Sequence, residues 1–154
     1  MDIQKVLLPF NFTPNDYKAV EFVIRTFAHL TDLELTVFFA YTPVPEIETQ
    51  DASVMRKLKG NLNYLGQKVM QQEAELKKVQ EKLIQSGFGE SRVKTVFKAR
   101  KKDIAAEIVE QAARDHATVI VINHKPAKAT RFFTGTVFSK VVNAVKNITV
   151  CIVS

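Results

Sequence analysis

Five short apolar runs alternate with four segments of helical period along this chain, and that alternation restricts the fold more than any other feature. KVLLPFN, residues 5–11, is a short apolar run ending at a proline and reads as a buried strand. TPNDYKAVEFVIRTFAHL follows, with Thr13 placed as N-cap and Pro14 at the first helical position. Ala19, Phe22, Val23, Thr26, Phe27 and Leu30 form one face of that helix. LELTVFFAY is a second strand, rich in β-branched and aromatic residues. TPVPEIETQD is a loop in which two prolines break regular structure.

Residues 51–86 have helical period, with Leu62, Leu65, Val69, Leu76, Val79 and Leu83 at steps near 3.5 and Gln72 interrupting. This seam is expected to lie along the chain's own sheet; a coiled-coil contact with another chain is the alternative. Gly60 and Gly66 weaken the first half and predict a bend or a late start. SGFGES supplies glycine stop signals. RVKTVFKA alternates as a third strand. Asp103 then caps IAAEIVEQAARDH, with Ile104, Ile108 and Ala112 facing inward. ATVIVIN is a continuously apolar fourth strand, and the helix VFSKVVNAVKN and the strand ITVCIVS close the chain.

Strands joined by helical crossovers must run parallel and be covered on both faces. The expected fold is therefore α/β: one domain over residues 1–154, a doubly wound five-stranded parallel sheet of Rossmann-like type. In such sheets ligands bind at the carboxyl ends of the strands, where the strand order reverses. The walls of that crevice are expected from PFNFTP, after the first strand, and VINHKPAKATRFFTGT, leading from the fourth strand to the last helix.

Charge and composition narrow the function. The chain carries +6 overall, but residues 1–50 hold three cations against seven carboxylates, so the remainder is strongly basic. After Asp115 there is no carboxylate at all. This asymmetry suits an acidic or phosphorylated partner near the C-terminal part, with basic helix faces that only solubilise the chain as the equal alternative. The single cysteine, Cys151, excludes an internal disulfide. No apolar run approaches the roughly 18 residues of a membrane span, and the start lacks signal-peptide features. A cytoplasmic protein is expected.

The whole chain resembles the universal stress protein family. KVLLPFNFTPNDYKAVEFVIRTFAHL is similar to its opening strand and helix, DIAAEIVEQAARDHATVIVINH to its third helix and fourth strand, and GTVFSKVVNAVKNITVCIVS to its closing elements. The resemblance implies strand order 3-2-1-4-5, as in adenine nucleotide alpha hydrolase-like folds, and a homodimer. Nucleotide-binding members carry Gly, two residues, Gly, nine residues, then Gly with Ser or Thr. Aligned on Gly135 and Thr136, the second glycine falls on Lys125 and the first on Ile122. The acidic residue that the family tends to place after strand one is here Asn11.

Physically, Ile122 disfavours the positive φ that a phosphate loop uses, and Pro126 removes a donor. Lys125, Lys128 and Arg131 could meet an anion by side chain instead. Gly135 and Thr136 keep a helix N-terminus that favours an anion. Asn11 cannot act as an anionic magnesium ligand. The candidate binding residues are Pro9, Asn11 and Phe12 after the first strand, Ala40 on the second, and His124, Lys125, Lys128, Arg131, Gly135, Thr136 and Val137 beyond the fourth. A second basic cluster, Lys98, Arg100, Lys101 and Lys102, reads as a solvated turn, with an extension of an anionic footprint as the alternative.

Rival chemistries lack their signatures. His29, His116 and His124 have no zinc-ligand spacing, and no nucleophile elbow or Walker loop occurs. No catalytic or metal residue is assigned. The aromatics fall on core-like faces, which argues against nucleic-acid stacking. The apolar, uncharged strand at 148–153 is an expected edge that invites pairing with a second copy. The sequence thus predicts a non-enzymatic stress-response protein whose degenerate site binds ATP weakly or not at all. The alternative is a nucleotide-gated switch that uses Lys125, Lys128 and Arg131 for phosphates.

Overall fold

The computed structural model describes residues 2–46, 48–124 and 137–154. Five strands, β1 (Gln4–Pro9), β2 (Leu33–Tyr41), β3 (Val93–Ala99), β4 (Val119–Asn123) and β5 (Thr149–Val153), form one sheet in the order β3-β2-β1-β4-β5. All four pairings are parallel, in register Val6 with Leu35 and Val119, and Ile120 with Val150. Both the fold class and the strand order match expectation.

Alternation along the strands splits the core in two, because successive strand residues face opposite sides. Val6, Leu8, Leu35, Val37, Phe39 and Val121 face the helices α1 (Pro14–Phe27) and α2 (Ala52–Gln85). Leu7, Phe38, Ile120 and Ile122 face α3 (Ile104–Asp115) and α4 (Val137–Ala144). The three inner strands, β2, β1 and β4, are buried on both faces and therefore read as continuous apolar runs in the sequence.

The helix ends follow the expected chemistry. Thr13 caps α1 and Asp16 returns the bond in a reciprocal capping box. Asp51 caps α2 and Asp103 caps α3. The buried face of α1 is Ala19, Val20 and Val23, with Phe22 and Phe27 half-buried. Leu30, expected on this face, is exposed because α1 ends at Phe27.

Helix α2 departs from expectation in two ways. It is one continuous helix from Ala52, so Gly60 and Gly66 neither delay nor break it. Asp51 accepts hydrogen bonds from the Ser53 and Val54 N–H groups, which anchors the first turn. Moreover, the seam lies along the sheet only in part: its buried residues are Leu76, Val79 and Leu83, and none before Leu76 is buried.

The basic cluster after β3 is not simply a solvated turn. Glu107, on the inner side of α3 and 1% exposed, pairs with the Lys98 ammonium at 2.8 Å. Its Oε1 accepts the N–H groups of Lys101 and Lys102 at 2.8 and 3.0 Å. The Lys102 side chain pairs with Glu110, and the Arg100 N–H donates to the Tyr41 carbonyl. Two of the four side chains, those of Lys98 and Lys102, are thus committed to α3.

Candidate functional site

The strand order reverses at β1, whose neighbours β2 and β4 lead into helices on opposite faces. A cleft of about 410 Å³ opens there, at the carboxyl ends of β1, β2 and β4. Pro9, Asn11, Ala40, His124 and Val137, five of the candidate binding residues, line it. Lys125, Lys128, Arg131, Gly135 and Thr136 lie outside the described residues.

Phe12 is the exception among the described candidates. Its φ of 60° places it in the left-handed region. Its ring packs edge-on against Phe10 at 5.0 Å and Phe39 at 4.8 Å, within the core between α1, α2 and the sheet. The residue turns the chain from β1 into α1 without contributing a wall to the cleft.

The floor of the cleft is apolar and was only partly foreseen. Phe38, Ile108 and Phe138 contribute to it. So does Ile122, 4% exposed, which occupies the first glycine position of the nucleotide motif. Its branched side chain is packed in the α3/α4 core. His124 stands at the rim with its ring 4.5 Å from that of Phe138, edge to face. Its backbone N–H donates to the Val153 carbonyl at 2.7 Å, so that donor is already spent on β5.

One carboxylate does reach the cleft, from the first turn of α1 rather than from the loop after β1, where Asn11 stands. Asp16 is 1% exposed and lines the cleft with Thr13 and Asn123. Its Oδ2 accepts from the Thr13 N–H at 2.9 Å and from the Thr13 hydroxyl; its Oδ1 accepts from the Asn123 side-chain amide. The bond to Asn123 ties α1 to β4 across the switch point. The capping-box spacing of Thr13 and Asp16 was visible in the sequence, whereas the partner 107 residues away was not.

A largely apolar floor with amide, hydroxyl and carboxylate groups at one rim suits a flat heterocycle carrying a hydroxylated group. Asp16 is a single carboxylate with both oxygens hydrogen-bonded, and among the described residues no cluster of three metal-ligating side chains occurs. No helix among them is long and apolar enough to cross a membrane.

Solved structures with the same fold were found. The hypothetical protein MJ0577 superposes with a TM-score of 0.71 at 19% identity, covering 99% of this chain and 96% of its own. The universal stress protein UspA from Lactobacillus plantarum gives 0.67 at 15%, covering 100% and 99%. An Arabidopsis thaliana universal stress protein family protein with AMP bound gives 0.57 at 14%, covering 97% and 90%. Two further universal stress protein matches are complexes with cAMP and with dAMP. At these identities the likeness establishes the fold alone. No curated protein matches the sequence. The family model of the universal stress protein family, however, matches residues 2–153, and the chain belongs to that family.

Proposed function

We propose that this protein is a non-catalytic, cytoplasmic stress-response protein that works through interaction with other chains, pairs as a homodimer through residues 148–153, and holds ATP weakly or not at all. The observation that carries the nucleotide part is Ile122, whose side chain fills the cleft wall at the first glycine position of the binding motif. The loss of the His124 N–H to β5 works in the same direction, since phosphate cradles are made of free backbone donors. The absence of catalysis is supported by the surroundings of His124. Among the described residues it meets the Phe138 ring rather than an acid or a nucleophile.

A second reading is favoured by the open cleft itself and by the AMP, cAMP and dAMP held by similar folds. In it the protein is a nucleotide-gated switch, with Lys125, Lys128 and Arg131 replacing the backbone cradle. Titration calorimetry with ATP and with AMP at millimolar magnesium separates the two. The first reading expects ATP to bind no tighter than about 100 μM, about −5.5 kcal/mol. A micromolar Kd for ATP that is lost on replacing Lys125, Lys128 and Arg131 by alanine would establish the switch instead.

A further inference from the structure

Helix α2 is 34 residues long, about 51 Å at the usual rise. The longest strand beneath it, β2, has nine residues and spans about 30 Å. The helix therefore outruns the sheet by about 20 Å. The excess lies toward its N-terminal end, where no residue before Leu76 is buried.

That free half is not a polar helix. Met55, Leu58, Leu62, Leu65 and Val69 fall on the first and fourth positions of successive heptads, in register with Leu76, Val79 and Leu83 of the buried half. Leu65 is 39% exposed and the other four are half-buried. The stripe is the narrow seam of a coiled coil. Its charge is one-sided. Residues 52–72 hold Arg56, Lys57, Lys59 and Lys68 and no carboxylate. Among the described residues none of the four makes an ion pair. Lys59 and Lys68 flank the seam at the heptad positions that set partner choice.

We propose that the free half of α2 is a docking arm for an acidic amphipathic helix of another protein. The charge decides against a second copy of the arm, because two such helices would bring like charges together along the seam. Beyond the seam, Val54, Tyr64 and Met70 are exposed at scattered positions around the helix; this decides against a bilayer surface, which favours one broad apolar face with aromatics on it. The only aromatic of the arm, Tyr64, is 67% exposed and lies off the seam. The arm is separate from the cleft, so this proposal and the nucleotide readings fail independently.

The probe is a four-heptad synthetic peptide with leucine at the seam and glutamate at the flanking positions, titrated into the full-length protein by fluorescence anisotropy. Saturable binding is expected, weakening at least about tenfold between low and high salt. Leu62→Glu with Leu65→Glu should weaken it at least about tenfold while leaving the melting temperature unchanged, because neither residue belongs to the core. Lys59→Glu with Lys68→Glu should reverse the preference toward a peptide with lysine flanks. The proposal is overturned by no saturable binding, by equal binding of glutamate- and lysine-flanked peptides, or by a lowered melting temperature in the leucine variant, which would mean the seam is already packed. It is equally overturned if the leucine variant abolishes self-association or binding to anionic lipid vesicles while peptide binding is unaffected.

Discussion

Glu107 is the residue whose environment differs most from what its position would suggest. It is a carboxylate inside the α3 interface, held first by the Lys98 ammonium and then by the N–H groups of Lys101 and Lys102, and its pKa falls from 4.5 to about 2. A carboxyl whose folded pKa is depressed stabilises the fold fully above its unfolded pKa. That contribution is lost as pH falls from about 4.5 through about 2. Its size is up to about 3 kcal/mol. Urea unfolding of Glu107→Gln should therefore show a loss of about 2–3 kcal/mol at neutral pH. The gap to the unsubstituted protein should close as the pH is lowered through that window. A gap that stays constant down to pH 2 would assign the loss to packing rather than to charge. The sequence contained half of this. Ile104, Ile108 and Ala112 were placed inward, and helical spacing puts residues 107 and 111 on the same face. Both are buried. A polarity-based reading discounts them because a buried glutamate needs a partner, and its partner comes from the end of another strand.

At the level of elements, α2 shows what periodicity can and cannot tell. A heptad seam identifies the face that will be covered, but not what covers it. One seam runs through both halves of α2, yet only Leu76, Val79 and Leu83 reach the core. Length was the missing constraint, since a helix of this size cannot be matched by strands of seven to nine residues. The difference has a dynamic consequence. Without buried contacts, the first half is held by its own hydrogen bonds and the Asp51 cap, and short helices held this way open easily. Amide hydrogen exchange should be markedly faster over residues 56–69 than over 76–85. Gly60→Ala should slow exchange in the first group by about fivefold, the effect of about 1 kcal/mol in helix propensity. A Cβ at that position meets nothing within 4 Å, so the change brings no clash. Uniform protection along α2 would contradict the division into a packed half and a free half.

For the whole molecule, alternation of strands and helices was enough to predict a parallel doubly wound sheet, because short apolar runs separated by helices leave no other connection. It did not say where the order reverses; that came from the resemblance to a family. Pro9, Asn11 and His124, at the cleft's edge, lie in the two segments that strand ends marked as its walls. Its floor was not so marked, because Phe38, Ile108 and Phe138 look like ordinary core residues until the sheet brings them together. Among the described residues, β5 is bonded on one side only, to β4. Its other edge presents backbone groups that none of the described residues pairs, beside Ile152, which is 48% exposed. Val150, Cys151 and Val153 are only half-buried, and no charged residue lies on the strand to discourage pairing. The edge thus has the features that a second copy would cover, and a lysine on it is the standard natural deterrent. Light scattering should give about twice the 17.4 kDa chain mass for the unsubstituted protein. Ile152→Lys should give the single-chain mass, because an ammonium would be buried unpaired at the contact. A 17.4 kDa species for the unsubstituted protein would rule out the dimer. An Ile152→Lys variant that keeps the doubled mass would place its interface elsewhere on the molecule.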